Sequence, residues 1–345
     1  MHNGVISTPA KFHPMDASPI ENLAEPAQLT AGRLVRQSRT ALAAALVAAL
    51  DESASTLGFV ARIGQVVEAI QAACDRHPDL AIAMILLSQE EPYGVRHAAD
   101  VAVVVELALR RLGYSSTDRR SVVAAALTMN LGMLTLQDRL AAQDTPPTPE
   151  QRQEIQLHPQ RGRDMLRMLG VADALWLDCV LQHHEAPDGS GYPNKLSGTA
   201  IRFEARLIGL ADRYCALLTQ SAWRNAQRPD IALQQTLSGD IDSKLGRLLT
   251  QTLGIYPPGS VVQLLNGEIG VVKRPGQLES APLVMTLFDA QGRILNRRHE
   301  RDTRAEEHTV TGVLDAYKVA QFFRLTEVWQ DEAVGAQLGG SSARG

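Results

Sequence analysis

Cysteine, long apolar runs and a surplus of charge of either sign are what this sequence has least of, and each shortage excludes something. The three cysteines, Cys74, Cys179 and Cys215, share no C-x-x-C spacing. That pattern speaks against a disulfide framework and for a reducing, cytoplasmic compartment. The longest apolar run, Ala41–Leu50, is rich in alanine and too short to span a bilayer. No basic segment followed by an apolar core opens the chain, so no secretory signal and no membrane attachment are expected. The 34 basic and 38 acidic residues leave a net charge of −4, which argues against a general binder of nucleic-acid polymers.

What is present is enough chain, 345 residues, for about two domains and a substantial core. Residues 1–28 mix Pro, Ser, Asn and Glu without periodicity and are expected to be disordered. From 29 to 89 the pattern is helical. The first helix, to about Leu57, carries Leu34, Leu42, Leu46 and Leu50 toward one side, where it packs on its own bundle or on a second copy in a homodimer. Further helices are expected at 59–76, 79–87, 93–112 and 121–131, another opening at Thr148-Pro149-Glu150, and another over 201–218. His77 reads as a solvated loop residue. Beyond Gly254 the composition shifts. Asn266-Gly267 between apolar runs predicts a hairpin with a type I′ turn, and 283–288 and 293–295 supply further strands of a small antiparallel domain, 255–310. A helix near Val313–Val328, within 311–330, and a disordered tail, 331–345, complete the reading.

One stretch carries most of the chemical information. Gln182-His183-His184-Glu185 ends the apolar helix 174–181, and Ala186-Pro187-Asp188-Gly189-Ser190-Gly191-Tyr192-Pro193 cannot continue it. Adjacent histidines on a helix project about 100° apart, so each can serve a different ligand position. Taken alone, the pair is more simply a helix end with ordinary C-terminal histidines.

The continuation through Gly191-Tyr192-Pro193, with Leu196 and Gly198 beyond, resembles the signature of the HD-GYP family of HD-domain phosphohydrolases. The resemblance implies an HD-type helical bundle over 90–254 with a small antiparallel β barrel-like appendage at the C-terminus, making the fold mostly α. It also implies a site of two or three metals that hydrolyses cyclic di-GMP. Matched position by position, the metal ligands are His97, His158, His183, His184 and Asp212. Tyr93 stands where trinuclear members have a glutamate, which removes a third metal. The name-giving His-Asp dyad and the lysine after it fall on Met129, Asn130 and Met133 of Met129-Asn130-Leu131-Gly132-Met133. A phosphate-binding arginine falls on Ser221, and Arg224 matches a second basic position.

These replacements have a direct physical meaning. Two dications about 3.5–4 Å apart clamp the attacking and leaving oxygens of a phosphodiester. They repel by about 18 kcal/mol at an effective dielectric of 20, which is why a carboxylate bridges them. Asn130 is neutral and the Met129 thioether suits neither Fe nor Mn. The surviving ligands suit one divalent transition metal, Fe or Mn, or none. No catalytic residue is assigned. Gly189, Gly191, Tyr192 and Arg224 remain as candidate ligand contacts, with Tyr192 on an exposed turn where a diguanylate cyclase domain protein could dock. The leading reading is a catalytically impaired HD-GYP signalling protein that binds cyclic di-GMP or a partner. An active phosphodiesterase tolerating Asn130 and a purely structural or dimerising helical protein are the alternatives.

Overall fold

In the computed structural model the helical part of the chain runs through α1 (Ala31–Leu50), α2 (Phe59–Arg76), α3 (Pro78–Leu87), α4 (Tyr93–Arg111), α5 (Ser116–Thr128), α6 (Leu134–Ala142), α7 (Pro149–Met168), α8 (Ala174–Gln182), α9 (Phe203–Leu218), α10 (Pro229–Thr236) and α11 (Ser243–Leu253). Strands β1 (Val261–Leu264), β2 (Ile269–Leu278), β3 (Ala281–Phe288), β4 (Glu300–Asp302) and β5 (Val310–Leu314) follow, then short helices α12 (Ala316–Ala320) and α13 (Leu325–Trp329). The structure describes residues 31–50, 58–88, 92–220, 222, 225–238 and 243–329. They divide into a helical unit ending at Ile255 and a sheet-bearing unit beginning at Tyr256. The fold is mostly α with an antiparallel sheet toward the C-terminus. The segments expected to be disordered, 1–28 and 331–345, lie outside the described residues, as do Ser221 and Arg224.

The helical unit is built around α4, which is buried at every position from Gly94 to Leu109. A helix apolar on all sides belongs inside a bundle, and α1, α2, α3, α5, α6, α9 and α11 pack on it. Three of its buried polar side chains are met by neighbouring helices. Asp100 takes a hydrogen bond from Arg39 of α1 at 2.7 Å. Glu106 takes one from Arg119 of α5 at 2.8 Å and a longer one from Gln71 of α2 at 3.4 Å. His97 faces Asp212 of α9 at 2.6 Å.

Arg39 is 0% exposed and also donates to the Ser88 carbonyl and hydroxyl. It sits in the buried stripe of α1, which is Val35, Ser38, Arg39, Leu42, Ala45 and Leu46. Leu50, expected on that face, is exposed. The face is spent on α2, α3 and α4, so it is not available to pair with a second copy. His77, expected in solvent, is buried at the α2–α3 junction. Helix α5 starts five residues earlier than expected because Ser115 caps it, accepting from the Asp118 amide. Helices α10 and α11 were not anticipated.

In the second unit the strand order is β4-β3-β2-β1-β5, all neighbours antiparallel. Val262, Leu264, Val272, Val284 and Val313 form its core. The hairpin at Asn266-Gly267 is present, but the turn is not type I′. Gly267 N donates to Leu264 O at 2.9 Å, and Gly267 alone in this turn has a positive φ, +86°. Type I′ needs positive φ at both central residues. Here Leu265 and Asn266 turn and the glycine takes the left-handed position after them. Residues 293–295 are not a strand; Ile294 makes an isolated bridge to Phe288, and the fourth strand is Glu300–Asp302. The single helix expected within 311–330 is instead the end of β5 followed by α12 and α13. Asp315 stops the strand by capping the Tyr317 and Lys318 amides.

Burial raises the Asp100 carboxyl above its ordinary range, with Arg39 and Arg96 pulling the other way. Removing Arg39 strands that carboxylate, so Arg39→Met should cost about 3–5 kcal/mol of unfolding free energy near neutral pH. Its folded-state pKa then rises further above the unfolded value, the folded form binds the proton first, and stability returns as pH falls. Urea titrations at several pH values check both signs. A variant as stable as wild type at neutral pH would show that the pair does not carry this burden.

Candidate metal centre and pocket

Helix α8 begins at Asp173, whose carboxylate accepts from the Trp176 amide at 3.1 Å, and stops at His183 because the Pro/Gly-rich loop follows. His184 therefore lies in the turn beyond the helix rather than a further 100° around it. The two rings do not diverge toward separate ligands; their centroids are 4.1 Å apart. His158, buried on α7, completes a trio. One ring nitrogen from each of His158, His183 and His184 lies within 4.8 Å of the others.

The ring orientations are fixed by the backbone. Nδ1 of His158 faces the Ile155 carbonyl at 2.5 Å, and Nδ1 of His183 faces the Val180 carbonyl at 2.7 Å. A carbonyl can only accept, so both Nδ1 atoms carry the proton. The two Nε2 atoms then turn bare lone pairs toward each other at 3.2 Å. Burial keeps these rings neutral: it pushes His158 down to about 3, aided by the charge of His183, and lowers His183 and His184 as well. Neutral imidazoles with converging lone pairs and carbonyl-anchored Nδ1 atoms are the donor set a transition metal takes.

The other two expected ligands form a separate pair. His97 Nε2 and Asp212 Oδ1 are 2.6 Å apart, and Tyr93 stacks on His97 with centroids 5.4 Å apart. Burial acts to raise the Asp212 carboxyl, but the His97 hydrogen bond and the nearby histidine charges outweigh it and hold it low. Asp212 lines the same pocket as His183 and His184 because α9 lies directly on the end of α8. A Cβ on Gly209 would fall 2.2 Å from the His183 carbonyl oxygen. Met129 and Asn130 occupy the buried turn after α5, at 0% and 4% exposure. The turn abuts α7, since a Cβ on Gly132 would meet the His158 carbonyl oxygen at 2.4 Å. Asn130 Oδ1 is buried with no hydrogen-bond partner.

The loop after the histidines is held from inside. Glu185, buried, accepts from the Asn194 amide at 2.7 Å and the Leu196 amide at 2.9 Å. Gly191 lies so close to the backbone that a Cβ there would be 2.3 Å from the Ala186 nitrogen. Two of the three Gly189–Gly191 amides, candidate phosphate contacts, are held within the loop. Gly189 N donates to Ala186 O, Ser190 N to Asp188 Oδ1 and Tyr192 N to His184 O. Tyr192 is not on an exposed turn either. It is half-buried, its ring 4.7 Å from that of His184, and burial beside Asp212 raises its hydroxyl pKa.

A pocket of about 390 Å³ opens on this centre. Its lining includes His183, His184 and Asp212, Asp188 and Ser190 from the loop, and Arg206 and Arg213 from α9. The two arginines were not singled out in the sequence. The signal was there: 206, 209, 210 and 213 share one helix face, and Asp212 belongs to the same helix.

Residues 81–244 match the HD domain family. The chain is 27% identical over 237 residues to the cyclic di-GMP phosphodiesterase PA4108 of Pseudomonas aeruginosa, covering 68% of this chain and 57% of that protein. It is 30% identical over 183 residues to the cyclic di-GMP phosphodiesterase response regulator RpfG of Xanthomonas campestris, covering 52% and 44%. The matches thus span less than two thirds of these relatives' own length. Among solved structures, a HDG"Y"P protein of Bdellovibrio bacteriovorus superposes with a TM-score of 0.53 at 13% identity, covering 66% of this chain and 74% of that one, a likeness of fold.

Two substitutions test the geometry. Tyr192→Ala should lower stability by about 1–2 kcal/mol through loss of the ring stacked on His184, while Tyr192→Phe stays near wild type. Thermal melts decide it, and an alanine variant that melts with wild type would return the tyrosine to the surface. Gly209→Ala should push α9 off the end of α8 and reduce metal retained through dialysis, measured by elemental analysis. Unchanged retention would mean that Asp212 and the trio do not act together.

Proposed function

We propose that this chain, similar to the HD domain family over residues 81–244 and to cyclic di-GMP phosphodiesterases, is a degenerate HD-GYP signalling member that binds cyclic di-GMP or a partner while turning the nucleotide over poorly or not at all. The observation that carries this reading is the buried dyad turn. Met129 and Asn130 put a thioether and a neutral amide where two dications would need an anionic bridge. The histidine trio fits a single divalent cation, Fe or Mn, with His97 and Asp212 as further donors. When bound, such a cation would add positive charge beside a ligand phosphate. The chain's own residues do the rest: His158 and His183 present fixed lone pairs, and Arg206 and Arg213 line the pocket wall.

A protein partner such as a diguanylate cyclase domain would meet the exposed edge of the loop, Ser190, Asn194 and Lys195, rather than the Tyr192 ring. No helix among the described residues is long and apolar enough to cross a membrane, and the three buried thiols suit the cytoplasm we propose for it.

One observation favours a second reading. Asn130 Oδ1, buried and unpartnered, is an oxygen open to a cation, as an active phosphodiesterase tolerating asparagine would need. Metal content separates the two. Protein purified without chelator should hold no more than one metal per chain by elemental analysis and bind cyclic di-GMP calorimetrically without turnover. Two metals with turnover would install the second reading, and no nucleotide binding would leave a structural role.

Repair of the bridge tests the cause. Met129→His with Asn130→Asp should add a second metal and only slow hydrolysis, because Met133 still lacks the lysine's charge. Adding Met133→Lys should raise the rate about ten- to a hundred-fold, the worth of one charge-assisted contact realised in the transition state. A wild type as fast as the repaired protein would refute the scheme.

A further inference from the structure

The α9 wall of the pocket carries two arginines, and they are not equivalent. Arg206 is half-buried and engaged within the protein. Arg213 is exposed to the pocket and has no hydrogen-bond or ion-pair partner among the described residues. Asp188, which also lines the pocket, is engaged within its own loop. Asp188 Oδ1 is held by the Ser190 amide at 2.9 Å and by its hydroxyl at 2.6 Å. Position 213 is adjacent to Asp212 and one turn beyond Gly209, where α9 touches the His183 carbonyl. A guanidinium without a partner among the described residues therefore lines the same pocket as His183 and His184, in a chain with Met133 in place of a cation after Asn130.

We propose that Arg213 is the phosphate-binding residue of this pocket, taking a phosphodiester oxygen pair of the ligand by its planar fork and supplying the anchoring charge that Met133 does not. The proposal rests on the nucleotide reading above and specifies which side chain executes it. A guanidinium forks onto two phosphate oxygens and keeps its charge at any working pH. It could also read a guanine edge, so the probes must separate the two.

The test is calorimetric titration of the full chain and its Arg213→Ala and Arg213→Lys variants with cyclic di-GMP, 3′3′-cGAMP and inorganic pyrophosphate, with metal content measured in parallel. We expect Arg213→Ala to weaken both cyclic dinucleotides by the same factor, about ten-fold or more. Arg213→Lys should recover part of that loss, pyrophosphate binding should fall in step, and metal content should be unchanged. Equal affinity in wild type and Arg213→Ala would overturn the assignment and leave the nucleotide reading intact. A loss growing with the number of guanines would overturn the phosphate role in favour of base reading. Pyrophosphate bound through Arg213 with no cyclic dinucleotide bound would keep the assignment and overturn the nucleotide reading. Binding of none of the three overturns both.

Discussion

The helical unit depends on one constraint: α4 is buried on every side, yet it carries His97, Asp100 and Glu106. A buried charge without a partner costs several kcal/mol, so each of these groups dictates what its neighbour must offer. Arg39 fixes α1, Gln71 and Arg119 fix α2 and α5, and Asp212 fixes α9. The first two contacts secure the bundle. The third is the same kind of contact, but its far end is a wall of the pocket, so the packing of α9 on α4 and the geometry of the metal centre are one problem.

The trio is organised by a more local rule. Two imidazoles on different helices are each pinned through Nδ1 to a carbonyl three residues back, which leaves Nε2 to meet across the gap between α7 and α8. Two facing lone pairs repel in the absence of a cation or proton between them, and burial disfavours the proton. The arrangement is thus tolerable as part of a binding site and hard to explain as core packing. It sits beside a dyad turn of opposite character, where a fully buried thioether and an unpartnered amide oxygen provide no charge. The centre is well made on one side and electrically empty on the other.

Much of this was legible in the sequence because it depends on rare residues at fixed spacing. The histidines that the structure gathers into one trio and most helices could be read that way, since caps such as Thr148 and breaks such as Pro187 are local signals. What could not be read depends on neighbours distant in sequence. Arg39 drew no attention in the sequence because nothing near it in the chain predicts Asp100, which is 61 residues away. Arg213 gained its significance only when α9 was laid against α8. The Asn-Gly turn was misassigned because the dipeptide is compatible with two hairpin geometries, and the pairing of Leu264 with Glu268 selects the three-residue one. The C-terminal helix failed because 310–314 are drawn into the sheet by β1, a partner that local periodicity does not show.

The Gly-Tyr-Pro loop beside a turn that carries Met129 and Asn130 first suggests a surface that serves contacts. Its internal bonding gives a simpler cause. Glu185 clasps two loop amides, Gly191 fits where no other residue would without backbone movement, and Tyr192 stacks on His184. Each of these supports the turn that carries the histidines. Changing any of them would disturb His184 whether or not the protein hydrolyses anything, whereas Met129 and Asn130 lie on a separate buried turn after α5. The loop is therefore weak evidence for a partner and the dyad is strong evidence about chemistry. A functional reading should rest on the pocket and its unspent charge, not on how much of the motif remains.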